Sequence, residues 1–297
     1  MRAVKVALAV SLLASISSIF TGAAAEDGDA CDRACLVDAM SRYLRSLVEH
    51  DPSIAPLADD ARFTEDAGEM PIGEGFWKTA SKLRPYRVDF VDVPAGTVAV
   101  HAVMEEQGEP VLFAARLRVV DRAITEIETM VVRNAEEGVL FAPDALAEPS
   151  AAMTTFPPES ERMSRDEILE IALRYPAGLR AGSFVTADVP FAPGAYRLEN
   201  GVRMAGPGCT FRPPSCENLR TQQIPTLPDV EERVVAVDEE NGTVLLRLDF
   251  GRGSLPGPSN AGQSLVTFEA FKVYGGQIHA VEAVFEAMPL GGSSGWE

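Results

Sequence analysis

The chain has 297 residues, enough for about two domains, and its 46% hydrophobic and 24% charged residues are typical of a packed globular protein. Its formal net charge is -18 at pH 7. A field of this sign repels phosphate backbones and anionic lipids, so nucleic acid is not an expected partner.

Residues 1–25 have the pattern of a secretory signal peptide. Arg2 and Lys5 precede an apolar run, and Ala23, Ala24 and Ala25 supply the small residues of a signal-peptidase site. The alternative is a retained membrane anchor, but the run is short for a bilayer span. We therefore expect a secreted or periplasmic protein without membrane contact after signal removal.

The first predicted helix runs from Asp32 to Val48. Leu36, Met40, Tyr43, Leu44 and Leu47 recur at helical spacing and form one apolar face. A second predicted helix follows the capping box Ser164–Glu167, and Pro176 is expected to kink or end it.

Four cysteines remain after signal removal, and an even number in an exported chain indicates disulfides. Four cysteines allow three pairings, of which we favour the local bridges Cys31–Cys35 and Cys209–Cys216. The first bridge requires Cys31 to lie before the helix, because residues four apart within a helix are poorly placed for a bond. Zinc binding is a weaker alternative, since neither pair has Cys-x-x-Cys spacing and the three histidines are scattered.

The two halves of the chain repeat each other in one order. The matching segments are 43–51 with 175–183, 63–66 with 197–200, 92–104 with 238–250, and 118–128 with 272–282. Alternating apolar residues at Val98 and Val100, and at Val244 and Leu246, predict a strand with one buried face in each half. The repeat predicts domains at 26–141 and 163–297, joined by an Ala-, Pro-, Glu- and Ser-rich linker at 142–162.

A long helix followed by an antiparallel meander resembles the nuclear-transport-factor-2-like superfamily, which includes ketosteroid isomerase, scytalone dehydratase and polyketide-cyclase-like proteins. The likeness spans about 30–140 and 163–290, and Arg42-Tyr43, Leu47, Asp51, Ala58–Ala61 and Glu65-Asp66 carry it. It implies an α+β class with two tandem cone-shaped barrels, in which helices pack on a curved sheet around a pocket. Residues 31–36 and 292–296 also resemble an uncharacterised secreted family with two such domains, which implies no function.

The resemblance to ketosteroid isomerase implies three roles: a helix tyrosine that donates to an oxyanion, a carboxylate that moves a proton, and a protonated acid that donates a second hydrogen bond. The tyrosine falls on Tyr43 and Tyr175. The base falls on Glu65 or Asp66 in the first half and on Glu199 or Asn200 in the second. The third group falls on Ala115 in the first half, which lacks it, and on Glu269 in the second. Each of these residues also has a structural interpretation, as core tyrosine or solvated glutamate.

Other polar residues are weaker candidates for ligand binding. His101 and Arg247 occupy equivalent strand positions opposite the valines, where they line pockets or, as we favour slightly, face water. Glu128 and Glu282 also repeat, and neighbouring strand arginines are alternative partners for them. His279 near the final strand is a candidate for catalysis, and Trp77 for covering a pocket mouth, although a core or surface position is favoured for Trp77.

The sequence contains no Ser-His-Asp order, phosphate loop, dinucleotide glycine pattern or metal cluster, so we expect no cofactor and no metal. The predicted function is acid–base lyase or isomerase chemistry on a small, partly apolar carbonyl or hydroxyl compound. The alternatives are a secreted protein that binds a small molecule without turnover, and an interaction module in which the halves form a monomeric pseudo-dimer. Fold similarity alone does not choose among them.

Overall fold

The structure is a computed structural model that describes residues 31–211, 215–255 and 262–296. The predicted signal peptide lies outside these residues. Among the residues described, no helix combines the length and apolar composition that crossing a bilayer requires.

The first half is one long helix on a six-stranded sheet. Its elements are α1 (Arg33–Val48), β1 (Leu57–Glu65), β2 (Gly68–Met70), β3 (Ala80–Asp92), β4 (Thr97–Glu106), β5 (Glu109–Val120) and β6 (Ala123–Val132). The strand order is β2-β1-β6-β5-β4-β3, with β1 and β6 parallel and the other pairs antiparallel.

The second half repeats this arrangement after two short connecting helices. Its elements follow α2 (Ala135–Gly138) and α3 (Ala151–Thr154), and are α4 (Arg165–Ala181), β7 (Phe191–Glu199), β8 (Val202–Ala205), β9 (Glu231–Asp238), β10 (Thr243–Asp249), β11 (Gln263–Tyr274) and β12 (Gln277–Pro289). The strand order is β8-β7-β12-β11-β10-β9, with β7 and β12 parallel. Short 3₁₀ helices lie at Pro52–Ile54, Gly75–Lys78, Pro143–Ala145 and Glu159–Glu161. The α+β class and the tandem architecture are therefore confirmed.

Both predicted helices form, and their ends follow from local chemistry. Asp32 caps α1 by accepting a hydrogen bond from the Cys35 backbone N–H at 2.8 Å. The Glu167 carboxylate accepts from the Ser164 backbone N–H at 2.9 Å, as the capping box predicts. The helix does not end at Pro176, which lies within α4, and Gly182 in the left-handed conformation closes it.

One face of each sheet is covered by the long helix of its own half. Val98, Val100 and Ala102 of β4 belong to the core that contains the apolar face of α1. Val244, Leu246 and Leu248 of β10 belong to the equivalent core under α4. We call this side of each sheet its helix-covered face.

The opposite faces of the two sheets pack against each other. The core between them contains Tyr86, Phe90, Ala99 and Val103 of the first half, together with residues of the second half such as Phe268. We call this side of each sheet its inter-sheet face. The prediction that the β4 and β10 strands have only one buried face is therefore wrong, because the second sheet replaces solvent on the other side.

Two reciprocal ion pairs join the halves around an approximate two-fold relation. Arg33, the first residue of α1, donates two hydrogen bonds to Asp238 at the end of β9, at 2.8 and 2.9 Å. Arg165, the first residue of α4, donates two to Asp92 at the end of β3, at 2.7 Å each. Each aspartate also accepts a backbone N–H from the opposite half, Val91 to Asp238 and Val237 to Asp92. Each of these contacts from the first half to the second has an equivalent contact from the second half to the first, as in an isologous dimer interface.

Both predicted disulfides are present. Cys31 bonds to Cys35 and Cys209 bonds to Cys216, and Cys31 lies before α1 as that bridge requires. The zinc alternative is wrong, since all four sulfurs are in disulfides. Two disulfides fit a chain that is exported to an oxidising environment.

Candidate functional site

Four polar side chains meet on the helix-covered face of the second sheet. Tyr175 comes from α4, Arg197 and Glu199 from β7, and Glu269 from β11. Arg197 Nη1 donates to the Tyr175 hydroxyl at 3.1 Å, and Arg197 Nε lies 2.7 Å from Glu199 Oε1. Glu269 is within hydrogen-bonding reach of the Tyr175 hydroxyl. We call these four residues the polar cluster. The structure thus brings together the three residues of the second half that the resemblance selected.

Strand periodicity explains this convergence. Alternate residues of a strand point to the same face, so Arg197 and Glu199 share the face of Ala195, and Glu269 shares that of Phe271. Tyr175 lies on the buried side of α4 with Ile168, Ala172 and Leu179.

Burial changes the proton affinity of Glu269. Its side chain is almost fully enclosed, with 1% of the residue exposed. Loss of solvation, with a smaller contribution from the charge of Glu199, raises the pKa of Glu269 to about 8, although Arg197 opposes the rise. Glu269 is therefore mainly protonated at neutral pH, which makes its carboxyl group a hydrogen-bond donor. Burial also raises the pKa of Tyr175 well above its usual range, so its hydroxyl stays neutral.

The aromatic surroundings of Tyr175 form the apolar part of the site. Its ring stacks on Phe184 at 4.8 Å between centroids and meets Phe271 and Phe191 edge-on at 5.0 and 6.2 Å. Phe191 also lines a surface cleft of about 300 Å³, with Ala195 and Leu219 among the other lining residues. Phe191 thus lies between this cleft and the polar cluster.

The first half keeps two of the four polar residues, Tyr43 and Glu65, and has apolar residues at the other two positions. Phe63 and Ala115 stand where the second half has Arg197 and Glu269, and both are buried in the core under α1. Trp77 packs edge-on against Tyr43 and Phe63, at 5.2 and 5.5 Å between ring centroids. The Tyr43 hydroxyl is buried and has no hydrogen-bond partner among the residues that the structure describes.

Glu65 is close to Tyr43 but is held by other groups. Its Oε2 accepts from the Phe76 backbone N–H at 2.7 Å, and its Oε1 accepts from Arg133 at 3.0 Å. Trp77 is a core residue of the first half, and its indole N–H donates to the Ser46 carbonyl at 3.1 Å. Trp77 is 1% exposed, in agreement with the favoured core position.

Asp66 and Asn200 hold equivalent turns. Both have positive φ, 49° and 45°, directly after β1 and β7. Asp66 Oδ1 accepts the Val131 N–H at 2.9 Å, and Asn200 Oδ1 accepts the Phe285 N–H at 3.0 Å. The Asn200 amide also donates to the carbonyls of Gly138, Leu140 and Phe285. These contacts give both residues a structural part in fixing the turn.

His101 and Arg247 lie on the inter-sheet faces. His101 is 1% exposed, its ring meets Phe90 edge-on at 5.1 Å, and burial lowers its pKa to about 3. Arg247 is 9% exposed and its Nε lies 3.4 Å from Glu128 of the first half. The expectation that these two residues face water is wrong.

The repeated glutamates Glu128 and Glu282 also lie on the inter-sheet faces, where each binds at least one partner from the opposite half. Arg233 of β9 donates to both oxygens of Glu128 at 2.6 and 2.7 Å. Glu282 accepts from Tyr86 of β3, and from Tyr196 and Ser150. Among the described residues, neither glutamate pairs with an arginine of a neighbouring strand: the arginines of Glu128 come from the opposite half, and Glu282 binds hydroxyl groups.

His279 lies beside the β11–β12 turn, away from the polar cluster. Its ring stacks on Tyr274 at 3.5 Å between centroids, and its Nε2 is 3.1 Å from the Tyr274 carbonyl oxygen. These contacts are local to the hairpin.

Arg197 is the residue of the site that sequence reasoning missed. In the sequence analysis Arg197 appears only within the repeat, where segment 197–200 matches 63–66 and Arg197 corresponds to Phe63. The available signal was a charged residue at an inward-facing strand position where the other half has an aromatic one. In the described ranges, no three His, Cys, Asp or Glu side chains are arranged to hold a metal ion.

A family model described as a domain of unknown function (DUF8021) matches the chain twice, at residues 29–131 and 161–285. The chain belongs to this family, and the two matches correspond to its two sheet-containing halves. A search of the curated proteins finds no significant match.

Proposed function

We propose that the second half is a cofactor-independent acid–base site, a lyase or isomerase, for a small and partly apolar carbonyl or hydroxyl compound. One observation carries the proposal: two of the four positions of the polar cluster, those of Arg197 and Glu269, are apolar in the first half. Because the first half packs with Phe63 and Ala115 there, the fold does not need Arg197 or Glu269 at these places. Burying such groups costs free energy, and strongly perturbed buried acids are concentrated at functional sites.

The polar cluster contains two hydrogen-bond donors, Tyr175 and Glu269, and one proton acceptor, Glu199, and each has a role in the proposed reaction. The Tyr175 hydroxyl and the protonated Glu269 carboxyl donate to an oxygen that becomes negative as the substrate loses a proton. Glu199 accepts that proton from the carbon beside the carbonyl, and the C–H electron pair forms the enolate. The proton then returns to another carbon, or the enolate expels a hydroxide or alkoxide that takes up the proton from Glu199. Arg197 orients Tyr175 and balances the charge of Glu199.

Access to the cluster requires movement of aromatic side chains. Tyr175 and Glu269 are each 1% exposed, whereas the Glu199 side chain is 19% exposed. The cleft of about 300 Å³ and the Phe191 ring beside Tyr175 give a route from the surface. We expect the apolar part of the substrate to replace the contacts of Phe191.

In this proposal the first half is a structural partner. Its helix-covered face is filled by Tyr43, Phe63, Phe76, Trp77 and Phe113. We propose that the chain is a monomeric pseudo-dimer, which the reciprocal ion pairs between its halves support. We also propose that it is exported to the periplasm or the medium, which the two disulfides support.

The test is proton exchange in D₂O with a panel of small ketones, enones and β-hydroxy ketones, followed by ¹H NMR. We expect loss of the C–H signal beside the carbonyl, or elimination, for at least one compound with the native protein. Glu199→Gln should lower the rate by about 10²–10⁴-fold, the usual contribution of a general base.

Matched variants separate the two halves. Tyr175→Phe should slow the reaction. Tyr43→Phe removes a hydroxyl that has no partner within the described part of the chain and should leave the rate unchanged. Full activity of Glu199→Gln contradicts the mechanism. Binding of a compound without exchange or product supports the binding protein instead and contradicts an enzyme.

A further inference from the structure

A carboxylic acid from each half meets at the boundary between the sheets. Glu286 of β12 is 5% exposed, and its Oε1 has no hydrogen-bond partner among the described residues. Asp66, in the turn after β1, lies within hydrogen-bonding reach of Glu286. The two residues are 220 positions apart, so their contact joins the first half to the second.

The positive charge near this pair is already shared among several carboxylates. Arg133 contacts Asp66 at 3.3 Å, Glu65 at 3.0 Å and Glu106 at 2.8 Å. Arg247 also faces Glu286 but pairs with Glu128. The charged groups that surround the pair are Glu65 of β1, Glu106 of β4, Arg133 after β6, Glu137 of α2 and Arg247 of β10. Two adjacent buried carboxylates with so little positive charge cannot both ionise without a large cost.

We propose that a proton shared between Asp66 and Glu286 is a pH-sensitive latch that joins the turn after β1 to the end of β12. The latch is closed when the pair holds the proton and is released when both carboxyls are ionised. It uses residues outside the polar cluster and does not depend on the proposed reaction.

The direction of the pH dependence follows from burial. Burial raises the pKa of Asp66 to about 6, and burial together with the charge of Asp66 raises the pKa of Glu286 to about 9. Both values exceed those of exposed carboxyls. The stabilisation is therefore complete below about pH 4 and is lost as the pH rises through 6 to 9.

Release of the latch should increase hydrogen exchange in the chain segments next to Glu286. Glu286 follows Phe285, whose N–H and carbonyl both bind Asn200. The same Asn200 amide binds the carbonyls of Gly138 and Leu140, in the chain that leaves the first half. Ionisation of Glu286 should thus loosen residues 134–142 and the end of β12 before the rest of either sheet.

Hydrogen exchange measured by mass spectrometry at pH 6, 7.5 and 9.5 tests the latch, with rates corrected for intrinsic pH dependence. In the native protein, protection of residues 134–142, which do not pair with the strand of Glu269, should fall by about tenfold or more over this range, the effect of one pKa unit. In Glu286→Gln this local fall should disappear, because the amide cannot ionise. The exposed neighbour Glu136→Gln is the matched control and should behave as the native protein does.

Asp66→Asn provides a second variant if Glu286→Gln does not fold. Asn200 occupies the equivalent turn and accepts the same type of backbone hydrogen bond, so Asn at position 66 keeps that contact without the charge. Loss of the local pH dependence in either variant supports the latch. An unchanged pH dependence, or a fall that is equal in all segments, would overturn it.

Discussion

The protonated state of Glu269 predicts how stability depends on pH. Its pKa of about 8 lies above its ordinary value of 4.5, so the folded protein holds a proton that the unfolded chain releases. Stability from this residue is complete below about pH 4.5 and falls as the pH rises through 8. The rise in pKa corresponds to an upper limit of roughly 5 kcal/mol. About 4 kcal/mol of this limit is lost between pH 5 and pH 9. A chain of this size loses about 2–4 °C in Tm per kcal/mol, so the limit over this range is roughly 8–16 °C.

The variant Glu269→Gln isolates this effect, because the amide has the same shape and does not ionise. Thermal unfolding followed by circular dichroism at pH 5, 6, 7, 8 and 9 gives Tm for both proteins. At pH 5 their difference reports only the exchange of carboxyl for amide. As the pH rises, Tm of the native protein should fall relative to that of the variant. Parallel curves, within about 2 °C over the range, would refute the raised pKa of Glu269.

Three further predictions concern the structural contacts. Asp238→Ala should destabilise the protein by about 3–5 kcal/mol in urea unfolding, because it leaves Arg33 and a buried backbone N–H without their partner; a loss under 1 kcal/mol would contradict the reciprocal interface. Tyr43→Phe should leave Tm unchanged or raise it, since the lost hydroxyl has no partner, and a marked fall would show that this hydroxyl is bonded. Gly201→Ala should lower Tm, because φ is +83° and the new Cβ would meet the Ala142 carbonyl oxygen; an unchanged Tm would be the contrary result.

Local and repeated features of the fold were predictable from the sequence. The apolar spacing in 32–48 and the Ser164–Glu167 box gave both long helices, and cysteine spacing gave both bridges. These features depend on residues that are near each other in the chain. The repeat added the tandem architecture, because matching segments kept the same order.

The packing of one sheet on the other was not predicted, although a signal for it existed. Residues 97–104 are apolar at nearly every position except His101, and a nearly continuous apolar strand indicates burial on both faces. The prediction of one buried face used only the alternating valines and did not consider the apolar residues between them. The partners of Glu128 and Asp238 lie in the opposite half, and no local pattern identifies contacts at such separations.

The candidate site was predicted in part. The resemblance selected Tyr175, Glu199 and Glu269, which the structure brings together around Arg197. It also selected Asp66, whose side chain binds a neighbouring strand and Arg133. The direction of the side chain decides whether a selected residue joins the polar cluster. Strand alternation does not give this direction for Asp66, because Asp66 is a turn residue with positive φ.

A direct titration of the Glu269 carboxyl tests the central claim that the second half holds a buried, protonated acid. Protein with ¹³C-labelled glutamate side chains is titrated from pH 4 to pH 10 by NMR, and Glu269→Gln assigns the signal by its loss. We expect a midpoint near pH 8. A midpoint between about 4 and 5, as for an exposed glutamate, would contradict it.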